Sequence, residues 1–143
     1  MTTRIAKEFR WEMAHRLPYH TSGCQNIHGH SYRLWVEIEG EPDETRGMVL
    51  DYLDLKSAVE PLVKQLDHAF LCDRSDELMT RFFRENTLKV VYVDFPTTAE
   101  NIAAYLMKEI AKRLRESQSV LLKRLRIRLH ETERTFAEVS HDF

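Results

Sequence analysis

The stretches IAKEFRWEMAH (5–15) and HGHSYRLWVEIE (28–39) both alternate in character. In the first, Ile5, Lys7, Phe9, Trp11, Met13 and His15 share one side, and Ala6, Glu8, Arg10, Glu12 and Ala14 the other. In the second, His28, His30, Tyr32, Leu34, Val36 and Ile38 oppose Ser31, Arg33, Trp35, Glu37 and Glu39. Successive strand side chains leave opposite faces, so period two with one largely apolar face predicts two half-buried strands. Between them RLPYHTSGCQNI (16–27) carries Pro, Ser, Gly and Asn and breaks the alternation. It reads as a loop, long enough to fold over a site.

Outward from this hairpin, the polar stretch EGEPDETRG (39–47) leads into MVLDYLDLK. Leu55, Ala58, Val59, Leu62 and Leu66 follow helical spacing, with Asp51 or Asp54 placed to cap the start. Pro61 falls inside that helix and predicts a kink or a restart, because its ring clashes with the preceding turn. A short helix capped at Ser75 is expected over Asp76–Arg84, then a brief strand over LKVVYVD (88–94). Thr97-Thr98-Ala99-Glu100 reads as a capping box with Thr97 at the cap. The helix it opens carries Ile102, Leu106, Ile110 and Leu114 on one stripe and should end near Arg115–Ser117. A last hairpin places Leu121, Leu125, Ile127, Leu129 and Glu131 in phase, against Arg124, Arg126, Arg128 and His130. After a turn at Thr132–Arg134 a strand runs through Ala137 and Val139. Two hairpins flanking a helical middle give an α+β class: an antiparallel sheet with helices on one face.

At 143 residues with 43% hydrophobic content, the chain is expected to form a single domain, 1–143, with a core that needs no staples. The charge balance, 21 Lys plus Arg against 23 Asp plus Glu, leaves −2 and no basic footprint for nucleic acid or a membrane surface. Cys24 and Cys72 are too few for a disulfide framework. The opening residues lack the apolar region of a secretory signal, and no run approaches the roughly 18 apolar residues of a membrane span. A reducing cytoplasm is the expected compartment.

Of the 7 histidines, His15, His20, His28 and His30 crowd into one short stretch. His28 and His30 leave the same face of one strand, and His15 is in phase with the apolar face of its neighbour, so three imidazoles can converge. Each alone would read as a hydrogen-bonded histidine. Three in phase suit Zn²⁺, and three protein ligands without a fourth is the pattern of a catalytic zinc with an open position. Cys24 could be a fourth ligand that closes a structural site, or a thiolate beside an open zinc. Cys72, after Ala69-Phe70-Leu71, reads as a buried inert thiol. Asp67-His68 is a weak signal for proton transfer, since adjacent residues usually diverge. Glu131 ends an apolar strand face, where a carboxylate must find a partner or bind something unless the strand end frays into water. The Arg124/Arg126/Arg128 ladder reads as a solvated or oligomer-covered face.

Together the segments FRWEMAHRL (9–17), CQNIHGHSY (24–32), GMVLDYLDLK (47–56), LDHAFL (66–71), PTTAENIA (96–103) and HET (130–132) resemble the 6-pyruvoyltetrahydropterin synthase family, and more closely its bacterial 6-carboxytetrahydropterin synthase branch. The match runs along nearly the whole chain. Its departure is the stretch from Cys72 to Phe95, longer than in compact members of the family. The resemblance implies the tunnelling fold, with a four-stranded antiparallel sheet packed on helices. It also implies a homohexamer, built as a dimer of trimers, with active sites between subunits. It implies that His15, His28 and His30 bind zinc, that Cys24, Asp67 and His68 form a proton-transfer set, and that Glu131 holds the pterin ring. Thr98 and Glu100 would line the pterin pocket. The implied reaction converts 7,8-dihydroneopterin triphosphate to 6-carboxy-5,6,7,8-tetrahydropterin, releasing triphosphate and acetaldehyde on the path to queuosine. Two alternatives stand beside it: the 6-pyruvoyl product, made without carbon–carbon cleavage, and a non-catalytic zinc-stabilised binding domain.

Overall fold

A computed structural model describes residues 1–117 and 121–143. The hairpin that organises it joins β1 (Thr3–His15) to β2 (His28–Gly40), antiparallel along its whole length, with His15 opposite His28 and Met13 opposite His30. The predicted phase holds: Phe9, Trp11, Met13 and His15 of β1 and Tyr32, Leu34, Val36 and Ile38 of β2 are all buried. β2 pairs in turn with β5 (Leu122–Thr132), and β5 with β6 (Thr135–Asp142), both antiparallel.

The sheet is larger than the expected four antiparallel strands. β3 (Ala69–Asp73) and β4 (Val90–Val93) add to the other side of β1 in parallel, giving six strands in the order β4-β3-β1-β2-β5-β6. Every residue of β3 is buried. A strand covered on both faces shows no alternation, which is why AFLCD gave no period-two signal.

α1 (Tyr52–Leu66) and α3 (Ala99–Ser117) lay their apolar stripes against one face of this sheet, and Leu55, Leu62, Ile102, Leu106, Ile110 and Leu114 join the strands in the main core. Asp51 caps α1, its side chain accepting from the Leu53 N–H at 2.8 Å. Pro61 neither ends nor restarts this helix. It sits on the exposed side, where water can hydrate the Ser57 carbonyl that proline leaves without a donor. α2 (Glu77–Glu85) is capped by Asp76 rather than Ser75, through an acceptance from the Met79 N–H at 3.4 Å. Ser75 instead donates to the Asp73 carboxylate.

The cap of α3 also differs from the expectation by one residue. Thr98 caps it, accepting from the Asn101 N–H at 3.3 Å with its side chain and from the Ile102 N–H at 2.9 Å with its carbonyl. The Thr97 hydroxyl is turned inward, toward His15 and the Arg16 carbonyl, so it is unavailable to the helix. Each arginine of the β5 ladder has an acidic partner: Arg124 with Asp142, Arg126 with Glu37 and Glu138, and Arg128 with Glu138. No helix among the described residues is long and apolar enough to cross a membrane.

Candidate metal centre and substrate pocket

The antiparallel register of β1 and β2 decides the site. His15 and His28 are directly opposed, and His30 lies on the same face one pleat along β2. Their ring centroids are 4.7 Å (His15–His28), 5.2 Å (His15–His30) and 5.0 Å (His28–His30) apart. One ligand nitrogen from each lies within 4.8 Å of the others, close enough to hold a metal ion. Gly29 keeps this spacing tight: a Cβ there would stand 3.3 Å from the Met13 carbonyl, so a larger residue would push β1 away from the His28–His30 pair.

The second nitrogens show which atoms face the centre. His15 Nδ1 lies 2.7 Å from the Thr97 carbonyl, and His28 Nδ1 lies 2.8 Å from the Asn26 carbonyl. A carbonyl only accepts, so each Nδ1 carries the proton and each Nε2 keeps its lone pair. The Nε2 atoms of His15 and His30 are buried and without a hydrogen-bond partner. Two orphaned buried ring nitrogens beside a third imidazole are costly in a closed core, and a divalent cation satisfies them at once. Burial lowers the His15 pKa to about 4 and depresses that of His30, with a neighbouring imidazole contributing to each shift. These two rings are thus held in the neutral form that ligates metal. Imidazole donors with nothing harder in the set suit a first-row transition metal rather than magnesium or calcium.

Glu131 closes one side. It is not a frayed strand end: its side chain is 21% exposed, its Oε1 lies 3.9 Å from His15 Nε2, and Tyr32 donates to the same oxygen at 3.3 Å. Burial raises the Glu131 pKa, and the nearby Glu100 carboxylate adds to the rise. Tyr32 is fully buried and stacks on Trp11, with centroids 5.4 Å apart and planes 8° from parallel. Tyr32 was legible in outline, being in phase with His28 and His30. Thr97 was not, since it meets His15 across 82 positions of sequence.

The remaining site residues are placed differently. Cys24 sits half-buried on a short 3-10 turn (Gly23–Gln25) and falls outside the cluster of ligand atoms. Asp67 and His68 do pair, with His68 Nδ1 2.9 Å from Asp67 Oδ1. Their divergence as neighbours is overcome by the left-handed backbone of His68, φ 59°, which folds the ring back onto the carboxylate. Main-chain bonds to β1 fix both: His68 N–H donates to the Glu12 carbonyl at 2.7 Å, and Asp67 accepts from the Glu12 N–H at 3.0 Å. The latter bond, with His68 behind it, lowers the Asp67 pKa. His68 is 75% exposed and lines an open groove of about 670 Å³ with Ile27, His30, Ser31, Phe70 and Phe82. Among the described residues no hydrogen bond or ion pair joins His68 to Cys24 or to the three imidazoles. Thr98 and Glu100 stand at the first turn of α3, the hydroxyl of Thr98 engaged as the cap and Glu100 exposed. Cys72 is buried, and burial pushes its pKa up to about 11, as expected of an inert thiol.

The family model described as 6-pyruvoyl tetrahydropterin synthase matches residues 4–142. A 6-carboxy-5,6,7,8-tetrahydropterin synthase of Haemophilus influenzae is 37% identical over 142 residues, spanning 94% of this chain and 96% of that protein. One of the same name from Rickettsia bellii is 32% identical over 138 residues, spanning 95% and 99%. Among solved structures, 6-pyruvoyl tetrahydropterin synthase from Plasmodium vivax superposes with a TM-score of 0.81 at 18% identity, covering 100% of this chain and 99% of that one. The chain belongs to the 6-pyruvoyl tetrahydropterin synthase family, with its fold, and is an enzyme of that lyase family.

Proposed function

We propose that the protein is a zinc-dependent 6-carboxy-5,6,7,8-tetrahydropterin synthase of the cytoplasm. It would convert 7,8-dihydroneopterin triphosphate to 6-carboxytetrahydropterin, with loss of acetaldehyde and triphosphate, in queuosine biosynthesis. The observation that carries the reading is the group of three convergent imidazoles, that of His15 buried and those of His28 and His30 half-buried, with the Nε2 atoms of His15 and His30 unpartnered, beside the half-buried carboxylate of Glu131. The choice of product rests on the shared name of the relatives at 30–37% identity.

His15, His28 and His30 would hold the zinc, which supplies a Lewis acid able to acidify hydroxyl and adjacent C–H protons of the substrate side chain. Glu131 accepts from the paired N–H donors of the pterin ring, a two-point match that also neutralises a carboxylate held in a poorly solvated place. Tyr32 keeps the Glu131 carboxylate from rotating away. Thr98 and Glu100, at the start of α3, would line the pterin pocket, a reading supported by the influence of the Glu100 carboxylate on Glu131. Cys24 removes a side-chain proton as its thiolate, and His68, oriented by Asp67, carries the complementary proton. The exposure of His68, and the absence among the described residues of any hydrogen bond or ion pair joining it to Cys24, favour a set completed by another subunit, in a homohexamer of two trimers with active sites between subunits. Against a closed, structural four-ligand site stands the position of Cys24 outside the imidazole cluster.

Incubating the zinc-loaded protein with 7,8-dihydroneopterin triphosphate and identifying the pterin by mass tests the assignment. The 6-carboxy product together with acetaldehyde is expected. A 6-pyruvoyl product, the activity in the name of the Plasmodium structural neighbour, would move the protein to the other branch, and no turnover with zinc bound would favour a binding domain.

A further inference from the structure

The segment from Cys72 to Phe95, which the family motifs do not cover, reaches the loop that carries Cys24 through one side chain. The Arg16 guanidinium lies on Asp76 as a fork, Nε to Oδ2 at 2.6 Å and Nη2 to Oδ1 at 2.9 Å, and its remaining Nη1 donates to the Gln25 carbonyl at 3.1 Å. The next residue, Leu17, donates its N–H to the Cys24 carbonyl at 2.8 Å. Two consecutive residues therefore grip two consecutive carbonyls, those of Cys24 and Gln25. The fixed end of the grip is firm: Asp76 is 5% exposed, and the same carboxylate caps α2. The main chain of Arg16 is held as well, its carbonyl accepting from the Thr97 hydroxyl at 3.4 Å.

The turn itself supplies little rigidity. It is a three-residue 3-10 turn whose preceding Ser22 makes no side-chain cap, and none of its residues is buried. Such a turn is weakly self-supporting. A guanidinium, unlike an ammonium, can satisfy a carboxylate bidentately and still present a third donor in a fixed direction.

We infer that Arg16 is a positioning residue for Cys24, with Asp76 at the start of α2 as its anchor. The inference deepens the reading of Cys24 as the group that removes a substrate proton, and its catalytic arm rests on that reading. The function of α2 in this account is to supply a rigid, buried carboxylate against which the thiol-bearing turn is braced.

Arg16→Lys tests it, since a lysine keeps a positive charge near Asp76 but cannot make the fork and reach Gln25 together. The expected result is a fall in kcat of about 10- to 100-fold with KM within about twofold, the scale of a misplaced reacting group. Metal content should stay at that of the unsubstituted protein. Amide exchange at Leu17 and Asn26 should accelerate about tenfold or more, as for a locally opened segment, while Met13 and Tyr32 remain protected. Asp76→Asn, which weakens the anchor from the other side, should accelerate the same loop amides. Unchanged loop exchange and unchanged kcat in Arg16→Lys, or a lower Tm with both unchanged, would overturn the inference and leave a plain structural ion pair. If the unsubstituted enzyme turns over no pterin, the exchange measurement still decides the clamp, and the failure falls on the assigned reaction instead.

Discussion

The imidazole cluster and the Asp67–His68 pair lie at opposite extremes of preorganisation. His15 is 1% exposed and its Nδ1 is tied to a main-chain carbonyl, while its Nε2 makes no hydrogen bond, the nearby Glu131 carboxylate standing 3.9 Å away. The His68 side chain is 75% exposed and already paired with Asp67. A metal-binding set must be rigid and dry, because its open valences are what bind the ion. A proton carrier must meet water and substrate, because its proton has to be exchanged. The contrast separates two tasks, and single substitutions should separate them too.

The largest effect is expected at the cluster. His28→Ala removes one of three ligands, and metal content measured by elemental analysis should fall below about a tenth of one ion per chain, with turnover lost. Full metal content in that variant would break the comparison at its first half. Cys24→Ala should retain the metal yet lower turnover by about 10²- to 10⁴-fold, the usual worth of a positioned acid or base. If it lost the metal and unfolded instead, Cys24 would be a structural ligand.

The hairpin was legible because its burial is one-sided, so the strands of His15, His28 and His30 announce themselves by alternation, and antiparallel pairing then leaves little freedom in where the rings meet. β3 was not, because parallel strands buried on both faces lose the period. Asp67 and His68 could be named from the sequence, but the bond between them depends on the positive φ of His68, which adjacency does not reveal. Thr97 was read as a helix cap since local pattern knows only neighbours. Its hydroxyl is claimed by residues on β1 and in the loop after it, a tertiary competition that no local signal records.

Glu131 sharpens the comparison from the substrate side. Glu131→Gln keeps its shape and its bond from Tyr32 but places an amide donor where the pterin needs an acceptor. Binding of a pterin analogue in titration calorimetry should weaken by roughly 2–3 kcal/mol, the scale of charge-assisted hydrogen bonds, with the metal retained. Unchanged affinity would place the pterin elsewhere.

The smallest effect is expected where the cluster meets its outer support. His15 Nδ1 has two neighbours on Thr97, the carbonyl oxygen at 2.7 Å and the hydroxyl at 3.2 Å, and His28 Nδ1 has the Asn26 carbonyl at 2.8 Å. Both short contacts go to main-chain oxygens, which a side-chain substitution does not remove. Thr97→Val, nearly isosteric, deletes only the hydroxyl and its bond to the Arg16 carbonyl. Stability measured by urea unfolding should drop by about 0.5–1.5 kcal/mol, the net worth of one ordinary hydrogen bond. Metal affinity from competition with a chromophoric chelator should change by less than the roughly 10- to 100-fold seen when a true outer partner of a ligand histidine is lost. A larger loss in Thr97→Val would mean that the hydroxyl, not the carbonyl, fixes the His15 tautomer, and that the rigidity assigned to the cluster comes from a side chain after all.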